Sequence, residues 1–194
     1  MLIPDGTHIL APGKIASVVT YLQMTGRPTW IDGKFPGELE AMDVSSLDTY
    51  RAMFRRVGEN WMWFSRLRAT DEQLTERLTG PGYAVYLYDG GSGLVEMHHQ
   101  ASGDVEIVLF GLTPPETGRG QGRAMMAHAL RLAWSTKINR VWLHTCTLDD
   151  PKALAFYRKM GFRPYARGIE IAGDPRLDGY LPVTAAPQMP LIPK

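Results

Sequence analysis

Cysteine is almost absent: Cys146 stands alone in 194 residues. An intramolecular disulfide is therefore impossible, and a structural zinc site built from several cysteines is excluded. No metal is expected. Long apolar runs are also missing, and none approaches the roughly 18 residues that span a bilayer. Nor is there a charge excess. Twenty-one basic residues face 20 acidic ones, a formal net charge of +1, scattered along the chain. Neither nucleic acid nor an anionic membrane surface is expected as a partner. Met1 to Leu10 holds no basic segment followed by an apolar core, so no signal peptide is expected and a cytoplasmic protein is the consistent reading. There is no internal repeat and no low-complexity tract. With 44% hydrophobic and 21% charged residues, the chain has the balance of one globular domain covering residues 1–194.

Local patterns order that domain. Ile15 to Met24 is rich in β-branched residues and reads as a strand. The glycines and prolines of Asp32 to Glu38 read as a loop. Ser45 with Asp48 fits a capping box, and Leu47, Tyr50, Phe54 and Val57 follow at helical spacing. Thr70 with Gln73 opens a second, shorter helix that ends at Gly80-Pro81-Gly82. Tyr83–Tyr88, Leu94–His99 and Val105–Leu112 then form a meander of three antiparallel strands. A glycine-rich loop, a helix, a strand at Val141–Cys146, a helix after Asp150 and a strand from Phe162 to about Ile171 complete the order. Residues 181–194 carry four prolines and read as an irregular tail. The order predicts an α/β (α+β) fold: a mixed, mostly antiparallel sheet with helices on both faces.

Two segments carry chemistry. In the first, a nearly uncharged strand runs into Gly118-Arg119-Gly120-Gln121-Gly122 and then into an amphipathic helix with Met126, Leu130, Ala133 and Trp134 on one stripe. Glycines let backbone approach a ligand closely, and the first turn of a helix offers unpaired N–H groups at the positive end of a dipole. Such a site suits a pyrophosphate, with Arg119 and Arg123 adding charge. A dinucleotide fingerprint needs glycine where Arg123 stands, and a nucleotide-hydrolase loop needs a Lys-Ser/Thr pair that is missing. A pyrophosphate loop for coenzyme A fits the spacing; a plain glycine-rich turn remains the alternative. In the second segment, Asp150-Pro151 starts a helix with Ala153, Phe156, Tyr157 and Met160 on one stripe and Gly161 at its end.

The run P-E-T-G-R-G-Q-G-R-A-M-M resembles motif A of the GNAT acetyltransferase superfamily, pattern Q/R-x-x-G-x-G/A, placed on Thr117, Gly120 and Gly122. Asp150 to Phe162, D-x-x-A-x-x-x-Y-R-K-M-G-F, resembles its motif B, and E-I-V-L-F-G-L resembles the strand preceding motif A in its protein-lysine acetyltransferases. Thr117 replaces the usual Gln or Arg, and Asp150 stands where Asn is common. The resemblance implies the GNAT fold and an acetyl-coenzyme A-dependent N-acetyltransferase, with a coenzyme A-binding regulatory module as the reading from another class. It implies that the backbone of Phe110, Gly111, Leu112 and Thr113 meets the pantetheine arm. Amides of Gly118 to Arg123 would hold the pyrophosphate. Asp150, Ala153, Phe156 and Tyr157 would line the cofactor, with Tyr157 protonating the departing thiolate. The partner is an amine acceptor: a small amine, an antibiotic, an amino acid or a protein lysine.

Direct attack by an amine needs a base. The candidates are Glu106, Glu96, His98, His99 and His144. The resemblance favours Glu106. By strict alternation it shares a face with Val108, Phe110 and Leu112, and apolar neighbours should raise its pKa. Glu96 is the reserve, acting through water at the acceptor. Trp61, Trp63 and Phe64 are expected to wall the acceptor side, with helix-to-sheet packing as the plainer role.

Overall fold

The structure, a computed structural model, describes residues 4–193. Its elements in chain order are β1 (Lys14–Met24), β2 (Leu39–Ala41), α1 (Leu47–Gly58), α2 (Ser65–Arg68), α3 (Asp71–Leu78), β3 (Tyr83–Tyr88), β4 (Gly93–His99), β5 (Asp104–Leu112), α4 (Gln121–Ala133), β6 (Arg140–Cys146), α5 (Ala153–Lys159) and β7 (Arg163–Gly173). The strands form one sheet in the order β2-β3-β4-β5-β6-β1-β7. Only β5 and β6 pair in parallel. The other neighbours are antiparallel, and β1 inserts between β6 and β7. The mixed, mostly antiparallel sheet expected from the element order is what forms. Two short pieces went unread: β2 has three residues and α2 four, too few to show a period.

Each face of the sheet buries its own core. On one, Met125, Met126 and Leu130 of α4 and Tyr157 of α5 cover Val95, Met97, Ile107 and Leu143. On the other, Tyr50, Phe54 and Val57 of α1 and Leu74 and Leu78 of α3 cover Val85 and Leu94. Each fully buried side chain of this size contributes about 1.5–3 kcal/mol of hydrophobic transfer energy.

The β4–β5 register is broken once. Glu96 stands opposite Leu109, but Met97 stands opposite Ile107, so Val108 is an extra residue in a β-bulge. A bulge reverses which residues face which side. Glu106 therefore lies beside His98 on the α1 face, whereas Phe110 and Leu112 pack on the α4 face. The expected sharing of a face between Glu106, Phe110 and Leu112 is corrected here, because strict alternation fails at Val108.

Caps show a similar mix. The cap of α1 is Ser46, not Ser45: the Ser46 hydroxyl accepts from the Thr49 amide at 3.3 Å, while Ser45 donates to Asp43. Thr70 and Gln73 form the reciprocal box expected of them, at 3.3 and 3.1 Å. Asp150 accepts from the Lys152 amide at 2.8 Å, a capping bond two residues on, although regular helix begins only at Ala153.

From Leu181 the described chain has no regular element, as expected, yet it is anchored. Leu181, Ala185 and Ala186 are buried in the α1-side core. Arg176, with its side chain 1% exposed, pairs with Asp174 at 2.7 Å. Its remaining donors reach the carbonyls of Ala185 at 3.2 Å and Met189 at 2.8 Å. Removing one partner of such a buried pair strands the other charge and costs about 3–5 kcal/mol. Arg176→Met should lower unfolding free energy by about that much in a urea titration. It should also make the chain beyond Pro182 the first site of limited proteolysis. Unchanged cleavage kinetics would show that the anchor lies elsewhere.

Candidate active site

The parallel pairing of β5 and β6 lasts three residues, Asp104↔Arg140, Val105↔Val141 and Glu106↔Trp142. Beyond Glu106 the strands part. The gap between them is a cleft of about 460 Å³, lined by both strands, by the α1–α2 segment and by α5. On its β5 side, the backbone from Ile107 onward keeps β4 as its one strand neighbour. Buried backbone groups need partners, so a strand edge facing a cleft is a row of donors and acceptors open to an extended ligand. Phe110, Gly111 and Leu112 lie on that edge. Thr113 does not serve it. Its amide and hydroxyl both donate to the Ser92 carbonyl at 2.9 and 3.2 Å, and its carbonyl accepts from Glu116.

One end of the gap leads to the glycine loop. Gly118 and Gly120 both have φ of +81°, the left-handed region, and no atom lies within 4 Å of where a Cβ would sit on either. The loop is thus a shallow open cradle. Gly120 caps α4, whose N-terminus has no side-chain cap. An uncapped first turn behind left-handed glycines is an anion-binding arrangement. The side chains of the loop are less committed than its backbone. Thr117 donates to the Pro114 carbonyl at 2.9 Å. Gln121 accepts from the Tyr88 hydroxyl at 2.7 Å. Arg119 is exposed and lies 3.9 Å from Glu116. Arg123 lies over the rings of Trp30 and Phe35 at 5.4 and 5.7 Å, so its charge is steered by aromatic contact.

The α5 wall joins this loop to the gap. Phe156 stacks on Phe110 with centroids 5.9 Å apart, and its ring would touch a Cβ on Gly122. Asp150, Ala153 and Tyr157 line the cleft. Tyr157 is 8% exposed, ringed by Phe110, Phe156 and Phe162. Burial, and then Asp149, push its phenol well above the usual range, so it stays protonated.

Glu106 sits at the apex, where the strands part. Its side chain is 15% exposed, with His144 Nδ1 at 3.9 Å and Gln100 at 3.5 Å. Burial raises its pKa; Arg66 and Arg77 pull the other way, and Glu96 adds to the rise. His98, against the Tyr83 ring, and His144 also line the cleft. Burial pushes the Cys146 thiol up, which disfavours a nucleophilic thiolate.

Glu96 corrects an expectation. It is fully buried and does not line the cleft. Its carboxylate accepts from the Tyr50 hydroxyl, from Arg66 at 2.8 Å and from Tyr83 at 2.7 Å. A carboxylate so enclosed is turned to the α1-side interior and away from the cleft. Sequence reasoning missed this network because Arg66 lies in a four-residue helix 30 positions away. It also missed Asp149, which closes the β6–α5 turn by accepting from Thr145 at 2.7 Å and Cys146 at 2.8 Å. The other oxygen of Asp149 accepts from the Trp63 indole at 3.2 Å. That bond ties the aromatic segment to the turn across the cleft. Trp61, Trp63 and Phe64 all line the cleft, and Trp63 also packs on Phe54, so wall and packing roles coincide. Among the described residues, no group of three or more histidine, cysteine or carboxylate side chains is placed to hold a metal, and no helix is long and apolar enough to cross a membrane.

Comparison with known proteins agrees with this geometry. The profile of the acetyltransferase (GNAT) family matches residues 49–162, from α1 through α5. A mycothiol acetyltransferase from Clavibacter michiganensis is 28% identical over 102 residues, covering 52% of this chain and 33% of that protein. The chain thus aligns with about a third of that curated relative. A GCN5-related N-acetyltransferase from Sphaerobacter thermophilus superposes with a TM-score of 0.56 at 18% identity, covering 84% of this chain and 52% of its own. An acetyltransferase from Thermus thermophilus gives 0.51 at 18% identity, covering 70% and 97%. At such identities the structural likeness shows the fold.

The two carboxylates of the α1 face should behave oppositely in stability measurements. Glu96→Gln strands the buried Arg66 charge and should cost about 3–5 kcal/mol. Glu106 has a folded pKa above its unfolded value, so the folded state holds the extra proton between the two. Its contribution is greatest at low pH and is lost as pH rises through the folded pKa. Glu106→Gln should therefore leave stability at neutral pH equal or higher, with the difference closing below about pH 4. Urea titrations of both variants across pH 4 to 8 read this directly; a large neutral-pH loss in Glu106→Gln would contradict it.

Proposed function

The chain belongs to the acetyltransferase (GNAT) family, and on that premise we propose that it transfers an acetyl group from acetyl-coenzyme A to a primary amine by direct attack. The observation that carries the reading is the gap that opens at Glu106 and leads to the uncapped end of α4. The residues present fit the cosubstrate. The cradle of Gly118 and Gly120 and the first-turn amides of α4 suit a pyrophosphate. The open edge at Phe110–Leu112 suits the two amides of a pantetheine arm. Acetyl-coenzyme A, when bound, supplies the acetyl group as an activated thioester.

The protein's own residues then divide the work. The β5 edge orients the acyl carbonyl and offers amide donors to its oxygen. Phe110, Phe156 and Tyr157 exclude water around the sulfur. Glu106 takes the proton that the acceptor ammonium must lose, either directly or through one water. Tyr157, held protonated by its surroundings, returns a proton to the departing thiolate. Trp61, Trp63 and Phe64 wall the acceptor on the α1 side.

Cofactor binding is tested without turnover. Coenzyme A should raise the melting temperature by mass action. Gly122 has an ordinary helical backbone and only normal contact at its Cβ position, so Gly122→Glu should fold and even favour the helix dipole. The added carboxylate would meet the pyrophosphate, and the coenzyme A shift should vanish. A retained shift would remove the loop from the binding site.

Glu106→Gln keeps shape and removes the base. With an accepted amine, kcat/KM at neutral pH should fall roughly 10²-fold or more, with coenzyme A affinity preserved. The wild-type rise of rate with pH should contain a limb from Glu106, shifted up from the ordinary carboxylate range. In the variant that limb should be gone, leaving a rise set by the amine. An unaltered rate and profile would place the base elsewhere.

A further inference from the structure

The acceptor end of the cleft has a charged architecture that the acetyl-transfer reading leaves unused. Tyr83, His98, Glu106 and Trp142 stand side by side across four neighbouring strands. With strands about 4.8 Å apart, Tyr83 lies about 10 Å from Glu106. Two cations stand near Tyr83: Arg66 donates to its hydroxyl at 2.9 Å, and Arg77 of α3 lines the same part of the cleft. Arg66 is buried, and its charge is answered by Glu96 at 2.8 Å. Arg77 is different. It is exposed, it lines the cleft, and it also lines a second surface depression that shares Phe64, Arg66, Tyr83 and His98 with the first.

Other charged groups surround this end. Glu76, next to Arg77 on α3, is exposed and lines the second depression with it, and Asp150 lines the cleft. Glu170 of β7 stands on the opposite wall, paired in register with Ser17. Asp149 is engaged by Trp63, Thr145 and the Cys146 amide. His144 faces Glu106 from β6. Arg68 is turned to the Gly173 carbonyl and Asp178. The cleft thus holds a carboxylate at the strand junction, and the accessible guanidinium of Arg77 lines the part of it that Tyr83, two strands away, also lines. The field of Arg66 and Arg77 also reaches Glu106, where both favour the charged form.

We propose that the acceptor is an amine that also carries an anionic group, a compact amino acid in its simplest form, with the ammonium at Glu106 and the anion at Arg77. This rests on the acetyltransferase reading and deepens it. A guanidinium binds a carboxylate through paired N–H donors, so it orients the acceptor as well as attracting it. A polycation would have to place a second positive charge near Arg77 and Arg66, or else turn toward Glu170 or Glu76.

The test is a rate panel of free thiol release from acetyl-coenzyme A. The standard α-amino acids, β-alanine and γ-aminobutyrate are each run beside the matching carboxamide, with spermidine and an aminoglycoside in the same series. The expected result is a kcat/KM for at least one acid at least about 10-fold above its carboxamide, because a charged partner is lost in the amide. Arg77→Met should raise KM for that acid about 10-fold or more and bring the acid-to-amide ratio toward one. Arg77→Lys should restore part of the preference. Equal rates for acids and amides, a preference that survives Arg77→Met, or fastest turnover of spermidine or the aminoglycoside would each overturn the proposal. If no amine in the panel is acetylated while coenzyme A still shifts the melting temperature, the catalytic reading falls, and this one with it. If amines turn over without preference for the acids, only this one falls.

Discussion

The three-residue length of the β5–β6 pairing is the constraint on which the site depends. A parallel pair that continued past Glu106 and Trp142 would satisfy both strands and leave no cleft. Because the strands diverge, the β5 edge from Ile107 to Leu112 keeps a side without a strand neighbour inside the fold. The price of that opening is met from β4, which holds β5 through Leu112↔Gly93. The divergence is held from outside as well. Gly111 lies so close to Val57 and Trp63 that no side chain fits there, and Asp149 fastens Trp63 to the turn after β6. The width of the gap is therefore tied to the packing of α1 and to one indole hydrogen bond.

How much of this was legible in the sequence depended on the range of the interaction. The strands β3, β4 and β5 and the helix α4 were legible because their periods and turn residues are local. The Thr70–Gln73 box was legible for the same reason. The glycine loop was legible from its spacing and from the family resemblance. Two misreadings came from counting by one. Ser46, not Ser45, caps α1, since two adjacent serines offer equal chemistry and only backbone geometry chooses between them. Val108 adds one residue to β5 and reverses its faces beyond that point, which no alternation pattern can reveal. Glu106 kept its place at the cleft through that error because it precedes the bulge.

The buried polar network was illegible for a different reason. In G-L-V-E-M-H-H, Glu96 has the appearance of the polar member of a half-exposed strand. Its partners come from α1, α2 and β3, separated from it by 46, 30 and 13 residues. Nothing local distinguishes a glutamate that will be sealed by two tyrosines and an arginine from one that will face water. The anchored tail is a parallel case. Its prolines report correctly that no helix or strand forms, but the clasp of Arg176 on the Ala185 and Met189 carbonyls is tertiary.

These two kinds of feature meet at Glu106. The base role proposed for it requires a carboxyl that is neither a free surface carboxylate nor a fully desolvated one. Burial at the strand junction pushes its pKa up, and the arginines oppose that push. Glu96 adds a smaller contribution on the side of burial. While Glu96 is charged, it answers Arg66 and itself adds to the rise at Glu106. Without it, Arg66 would act uncompensated and hold Glu106 more firmly in its charged, weakly basic form. Glu96, which does not line the cleft, thus tempers the pull of the arginines on Glu106. Its burial beneath Tyr50 and Tyr83 is what keeps solvent from screening that influence.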